Sequence, residues 1–283
     1  GNGGDISVAT GYSEGTSSGS FTFKTSDAGK DGVSGGFQMT TGSSTAGDSG
    51  SLSFLSGTAR NGKSGFIRIV IGSGNTGTGG DVSLASGETT DTASGGMFSL
   101  STGASTKTSS GNLYFATANA GTAGVSGSIQ LNTGTASAGT SGSMTFSTGH
   151  ATGGKGGDIV VSVGTGNTGV GGDVSMTAGE SNSESGGSMT LRTGYSTKSS
   201  SGNLFISTPN AGASGVSGTV QMQTGSASAG TSGSFMMTTG DATSGKGGDI
   251  TINIGTGNAG DGGDYSLVAG TTTGANGDGG SIT

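Results

Sequence analysis

A fifteen-residue unit runs the length of the chain, and it limits the available folds more than any other feature. From Gly127 the sequence reads GSIQLNTGTASAGTS, then GSMTFSTGHATGGKG, then GDIVVSVGTGNTGVG, then GDVSMTAG. The unit is G-x-Φ-x-Φ-x-[T/V/A/S/I]-G, where Φ is apolar, followed by a small, glycine-rich half. First apolar positions fall at Ile6, Phe21, Phe37, Leu52, Ile67, Val82, Phe98, Leu113, Ile129, Met144, Ile159, Val174, Met189, Leu204, Val220, Phe235, Ile250 and Tyr265. Nearly every step is 15 or 16 residues, with no break that would mark a second domain. Self-similarity at a fixed short period is the mark of a repeat architecture.

A longer period lies above the short one. VSGSIQLNTGTASAGTSGSMTF from Val125 recurs 91 residues on, from Val216, as VSGTVQMQTGSASAGTSGSFMM. VSGGFQMTTGSSTAGDSGSLSF from Val33 is an earlier copy. Six short units make one long unit, with long repeats at approximately 20–110, 111–201 and 202–283. The expectation is one continuous repeat domain over 1–283.

Within each unit the apolar positions alternate with period two. Ile159, Val161 and Val163 fall on one side of an extended segment; Asp158, Val160 and Ser162 fall on the other. That pattern predicts a half-buried strand. Glycine and asparagine then supply corners, as in Gly164-Thr165-Gly166-Asn167. Gly134 and Gly149 read as corners of this kind that demand positive φ. A single unit cannot cover its own apolar face, whereas stacked units can. The predicted fold is therefore all-β: a parallel β-solenoid, or β-helix, of about 18 coils of 15–16 residues. At the usual strand spacing this is a rod on the order of 85 Å long. Ile129, Met144 and Ile159 would then stack in neighbouring coils, and small segments such as Thr135-Ala136-Ser137-Ala138-Gly139 would form a second wall.

Composition narrows the function. Glycine supplies 67 of 283 residues, with one proline and no tryptophan, so a conventional globular core is hard to build. The net charge is −7 and basic residues are scattered, which argues against nucleic acid, whose phosphates call for clustered Lys and Arg. No cysteine is present, so disulfides and cysteine-based metal or redox sites are excluded. The longest apolar stretch, around Phe66–Ile71, contains Arg68 and is far too short to span a bilayer. The chain opens on Gly1 rather than methionine and shows no signal peptide, which suggests a processed product.

Motifs that could carry chemistry have simpler explanations. Gly-Gly-Asp precedes the strand at Asp5, Asp81, Asp158, Asp173, Asp249 and Asp264. Calcium rolls need aspartate two places before the apolar residue, whereas here it stands immediately before it. These aspartates therefore read as corner residues rather than as a calcium site. The glycine strings contain no phosphate-binding G-x-x-x-x-G-K-[S/T] sequence. His150 is the only histidine, so neither a triad nor a zinc site has its components. Asn75, Asn167 and Asn258 recur at one corner, and Asn119 and Asn210 at another. N-x-[S/T] is absent throughout, which excludes N-glycosylation by pattern and leaves O-linked glycans on Ser and Thr open. No catalytic, cofactor-binding or metal-binding residue is assigned, and an enzyme is not expected.

The outward apolar residues depart most from a soluble surface. Leu55, Phe66 and Val70 fall on adjacent units, and Tyr114 and Phe205 hold equivalent positions one long repeat apart, with Val160 and Met236 in the same outward column. Such residues suggest lateral contact with another chain.

The G-x-Φ-x-Φ-x-T-G phrasing, with blocks such as SGVSG, TASAGTSG and GGDVS, resembles the giant Gly/Ser/Thr-rich tandem-repeat cell-surface proteins of diatoms and related algae, the stramenopiles. The resemblance covers the full chain and implies a secreted or surface protein suited to fibres, adhesives, wall layers or flagellar hairs (mastigonemes). The expected function is the rod of an extracellular filament or cell-surface appendage. Its expected partners are its own copies or related fibre subunits, met end to end and laterally. An ice-binding solenoid and a calcium-dependent adhesin are the rivals. The outward column Ser7, Thr22, Gln38, Ser53, Arg68, Ser83, Ser99, Tyr114 is too irregular for an ice lattice.

Overall fold

The computed structural model describes residues 3–273 and 277–283; Gly1 lies outside them. Among the described residues there is no helix and no β-strand. The predicted parallel β-solenoid is therefore not the fold of this chain, and neither "β-helix" nor "all-β" describes it.

What the repeat builds instead is a series of extended segments joined by sharp bends. Three-residue bends lie at 14–16, 45–47, 60–62, 75–77, 106–108, 137–139, 152–154, 167–169, 182–184, 197–199, 228–230, 243–245 and 258–260, each in the small-residue half of a unit. The expected division into an apolar half and a turning half is thus present. The supposed second wall is not: Ser137, Ala138 and Gly139 form a bend, with Gly139 at φ 115°. A second kind of turn closes three residues apart. Gly32 N–H donates to Gly29 O at 3.3 Å, Gly124 to Gly121 at 3.4 Å and Gly215 to Gly212 at 3.2 Å, once in each long repeat.

Coverage of apolar side chains explains the absence of a core. The chain exposes 27955 Å². A compact protein of 26.4 kDa would expose about 11,000 Å² and its unfolded chain about 38,000 Å². No hydrophobic side chain among the described residues is buried. The residues covered over about two thirds of their surface or more are Ser13, Ala151, Ala178, Thr193, Ser196 and Ala269, all small. Each unit offers two or three large apolar residues against a glycine-rich half that brings almost no apolar area. Glycine also loses the most backbone freedom on ordering. Covering so little surface does not outweigh fixing so flexible a chain, and no ladder between units forms.

The alternation of side chains survives without pairing. Tyr114 is 85% exposed between Leu113 at 56% and Phe115 at 64%. Phe205 repeats this at 85%, with Leu204 and Ile206 both at 58%. The central residue of Φ-x-Φ points away from its neighbours, as period two requires.

Two compact units are distinguished, Gly1–Met144 and Thr145–Thr283. In the first, Phe23 meets Phe21 edge-on at 4.6 Å between ring centroids and Phe37 at 5.7 Å. In the second, Ile250, Ile252, Ile254 and Tyr265 line an open depression of about 440 Å³.

With no buried core, heating should produce no cooperative transition. A compact domain of 283 residues would absorb on the order of 200 kcal/mol on unfolding. Scanning calorimetry of the dilute chain is expected to give a flat trace, and an endotherm of that size would contradict the open architecture.

Candidate functional site: the repeated loop closure

One contact recurs along the chain. It joins the glycine that opens a unit to the residues that end the apolar half of the unit before. Gly96 N–H donates to Gly87 O at 2.9 Å, Gly111 to Gly103 at 3.0 Å, Gly187 to Gly179 at 2.8 Å, Gly202 to Gly194 at 3.0 Å and Gly280 to Gly270 at 2.8 Å. The contact closes a loop of eight to ten residues between two extended segments.

Side chains fill the closure from one side. The residue before the unit-ending glycine lies against the unit-opening glycine. A Cβ on Gly142 would sit 3.6 Å from Thr133 Cβ, and one on Gly157 would sit 3.3 Å from Thr148 Cβ. Thr148 also donates from Oγ1 to the carbonyl of its facing glycine, Gly157, and Thr208, which precedes Pro209 and lies against Gly218, donates to Gly218 O, both at 3.1 Å. Contacts between successive units are thus made about ten residues apart across a loop. Approach at about the fifteen-residue spacing is confined to particular places, such as Phe23 with Phe37 and Ile250 with Tyr265, and builds no buried stack of the kind expected: Ile129, Met144 and Ile159 are 58%, 47% and 60% exposed.

The tightest closures recur one long repeat apart. A Cβ on Gly80 would lie 2.9 Å from Ile71 Cγ2, one on Gly172 would lie 2.7 Å from Val163 Cγ1, and one on Gly263 would lie 2.9 Å from Ile254 Cγ2. Ile71, Val163 and Ile254 are also the least exposed of the large apolar residues, at 46%, 45% and 46%. Only glycine leaves room for a β-branched side chain to reach the backbone here. The sequence reading placed glycine's necessity elsewhere, at Gly134 and Gly149. A Cβ on either would meet nothing within 4 Å, and neither has positive φ. Positive φ falls instead on Gly47, Gly77, Gly139, Gly230 and Gly260, and on Asn61. The missed signal was in the sequence: a β-branched apolar residue nine places before a unit-opening glycine, at Ile71, Val163 and Ile254.

Hydroxyl and charged side chains organise the loop tips locally. Ser13 Oγ accepts from Thr16 N–H at 3.1 Å, and Ser105 Oγ accepts from Thr108 N–H at 2.9 Å. Ser196 Oγ accepts from Ser199 N–H at 3.0 Å. Lys155 Nζ donates to Asp158 Oδ2 at 2.7 Å, and Lys246 to Asp249 at the same distance. Both pairs are largely solvated, so each stabilises its loop by less than about 1 kcal/mol. Two of the six Gly-Gly-Asp aspartates are thereby committed to a lysine of their own loop. No group of three or more His, Asp or Glu able to hold a metal occurs among the described residues. His150 sits beside the bend 152–154 and is exposed. Among the described residues no helix is long and apolar enough to cross a membrane.

Chemically, the arrangement offers a regular series of hydroxyl- and glycine-lined loops with uncovered apolar side chains between them. Comparison with models of known protein families, with curated proteins and with solved structures finds no match to this chain.

Gly172→Ala should force Val163 away and open that loop. Gly134→Ala should change loop stability by no more than about 0.5 kcal/mol. Nuclear Overhauser contacts between the Val163 methyls and residue 172 provide the readout. Retention of those contacts in Gly172→Ala would show that the closure tolerates a side chain.

Proposed function

We propose that the chain is a structural repeat protein of an extracellular filament or cell-surface layer, and that it works by associating with its own copies or with related fibre subunits. The observation that carries this reading is the exposure of the large apolar side chains of the repeat among the described residues of a single chain. Fully covering one such side chain contributes about 1.5–3 kcal/mol, and none of this gain is complete in the isolated molecule. A partner chain can supply the missing cover. A second copy has apolar residues at the same 15- or 16-residue spacing and so matches the whole series at once.

Several further features favour this reading. Tyr114 and Phe205, equivalent in successive long repeats, are among the most exposed aromatic residues, as are Leu55 and Phe66 among the apolar ones. A surface layer needs many weak, identical contacts rather than one cleft. The resemblance to algal tandem-repeat surface proteins, carried by the G-x-Φ-x-Φ-x-T-G phrasing, points to the cell exterior, where O-linked glycans on the abundant hydroxyls would be compatible with the loops. The carboxylates leave a net charge of −7, so copies repel one another at low ionic strength.

Sedimentation velocity over a range of concentration and salt tests the proposal. The chain should self-associate with increasing concentration, and more strongly as salt screens the carboxylates. Tyr114→Ser combined with Phe205→Ser should weaken association at least severalfold. A chain that remains monomeric at high concentration and high salt would remove the basis for the reading.

A further inference from the structure

Asn61 stands apart from the rest of the backbone. It is the only residue other than glycine at positive φ among the described residues, at 60°. It lies at the centre of the bend 60–62, is exposed, and is followed by Gly62. No hydrogen bond is made by its side-chain amide or by the backbone N–H of Gly62. Gly62 has no side chain to shield its nitrogen, and a Cβ placed there would approach only Ala59 Cβ, at 4.0 Å, so no distant part of the chain packs on this side of the bend. An electrophilic amide carbon and an unhindered backbone nitrogen are thus neighbours in a bend that no hydrogen bond holds shut.

We propose that Asn61 is a site of spontaneous covalent modification, in which the chain closes a succinimide ring on itself and reopens it as aspartate or isoaspartate. The Gly62 amide nitrogen attacks Cγ of Asn61. A bond from that nitrogen to Cγ forms, the bond from Cγ to Nδ2 breaks, and the departing group takes the backbone amide proton to leave as ammonia. Water then adds to one of the two ring carbonyls. Cleavage on the backbone side leaves the chain running through the side-chain carbon, as isoaspartate; cleavage on the other side gives aspartate. No oxidant, metal or enzyme is required.

Three asparagines are followed by glycine, Asn2, Asn61 and Asn276; Asn2 and Asn276 lie outside the described residues, and every other asparagine is followed by a residue with a side chain. Asn75 and Asn167 are each followed by threonine, whose branched Cβ restricts approach to the backbone nitrogen, and Asn112 and Asn203 are followed by leucine. The places equivalent to Asn61 in the other two long repeats hold Gly153 and Ser244. Of the three equivalent bends at 60–62, 152–154 and 243–245, the one at 60–62 therefore changes with time. The product sets a carboxylate between Arg60 and Lys63, and the isoaspartate form adds a backbone atom to the bend.

The test ages the full chain in buffer at neutral and mildly alkaline pH. Chymotrypsin then releases the segment between the exposed Leu55 and Phe66 for mass spectrometry with electron-transfer fragmentation. The expected result is an amide-to-acid mass gain at residue 61, mostly as isoaspartate, that accumulates faster at the higher pH and well ahead of any change at Asn75 or Asn167. Gly62→Ala should slow it to the pace of those asparagines, and Asn61→Gln should remove it. Conversion at residue 61 no faster than at Asn75, or unchanged in Gly62→Ala, would overturn the proposal.

Discussion

The local order of this molecule rests above all on one short contact, the approach of a unit-opening glycine to the end of the previous apolar segment, at six places with the opening glycine's N–H donating to a glycine carbonyl. At 2.8–3.0 Å in its best examples, it is a sound hydrogen bond. In solvent such a bond contributes only about 1 kcal/mol net. It persists because the loop it closes is short, because bends are easy in a glycine-rich sequence, and because a small side chain (Thr10, Ser86, Thr102, Ala178, Thr193 or Ala269) packs against the opening glycine. The side chain and the missing side chain are complementary, most closely at Val163 and Gly172.

The closure joins sequence neighbours and leaves the apolar residues uncovered. Phe21, Phe23 and Phe37 make the densest ring cluster, yet each remains exposed. Local order without a core separates the two roles that a repeat ordinarily combines. The glycine half shapes each loop, while the apolar half is left for contacts beyond the chain. That separation is what makes an assembly role physically coherent.

Part of this was legible in the sequence. Period-two alternation predicted which residue of Leu113-Tyr114-Phe115 would stand out, and the corner expected at Gly164-Thr165-Gly166-Asn167 adjoins the bend 167–169, whereas the small segment expected as a second wall bends at 137–139. The β-solenoid inference failed at the next step. It assumed that an uncovered apolar face must be covered by the following unit. Two or three apolar residues, facing segments such as Ser137-Ala138-Gly139 that bend instead of forming a wall, offer too little area to fix a backbone so rich in glycine. The glycine requirement was misplaced for a related reason. Gly134 and Gly149 follow the apolar segment and look like corners, but the crowded positions are the openers Gly80, Gly172 and Gly263. Their crowding depends on a residue nine places earlier, which a reading of local turn chemistry does not consult.

Because each closure spans only eight to ten residues, each loop opens and shuts on its own account. Under tension such a chain yields a little slack at a time from many equivalent loops, with no single structure whose rupture would mark a yield point. Loops of about ten residues reclose in roughly 10–100 ns, far faster than any mechanical cycle. The molecule therefore behaves as a compliant tether whose stiffness falls in proportion as units are added. Adding or losing a block of six changes the reach of that tether without altering the contacts of any other block.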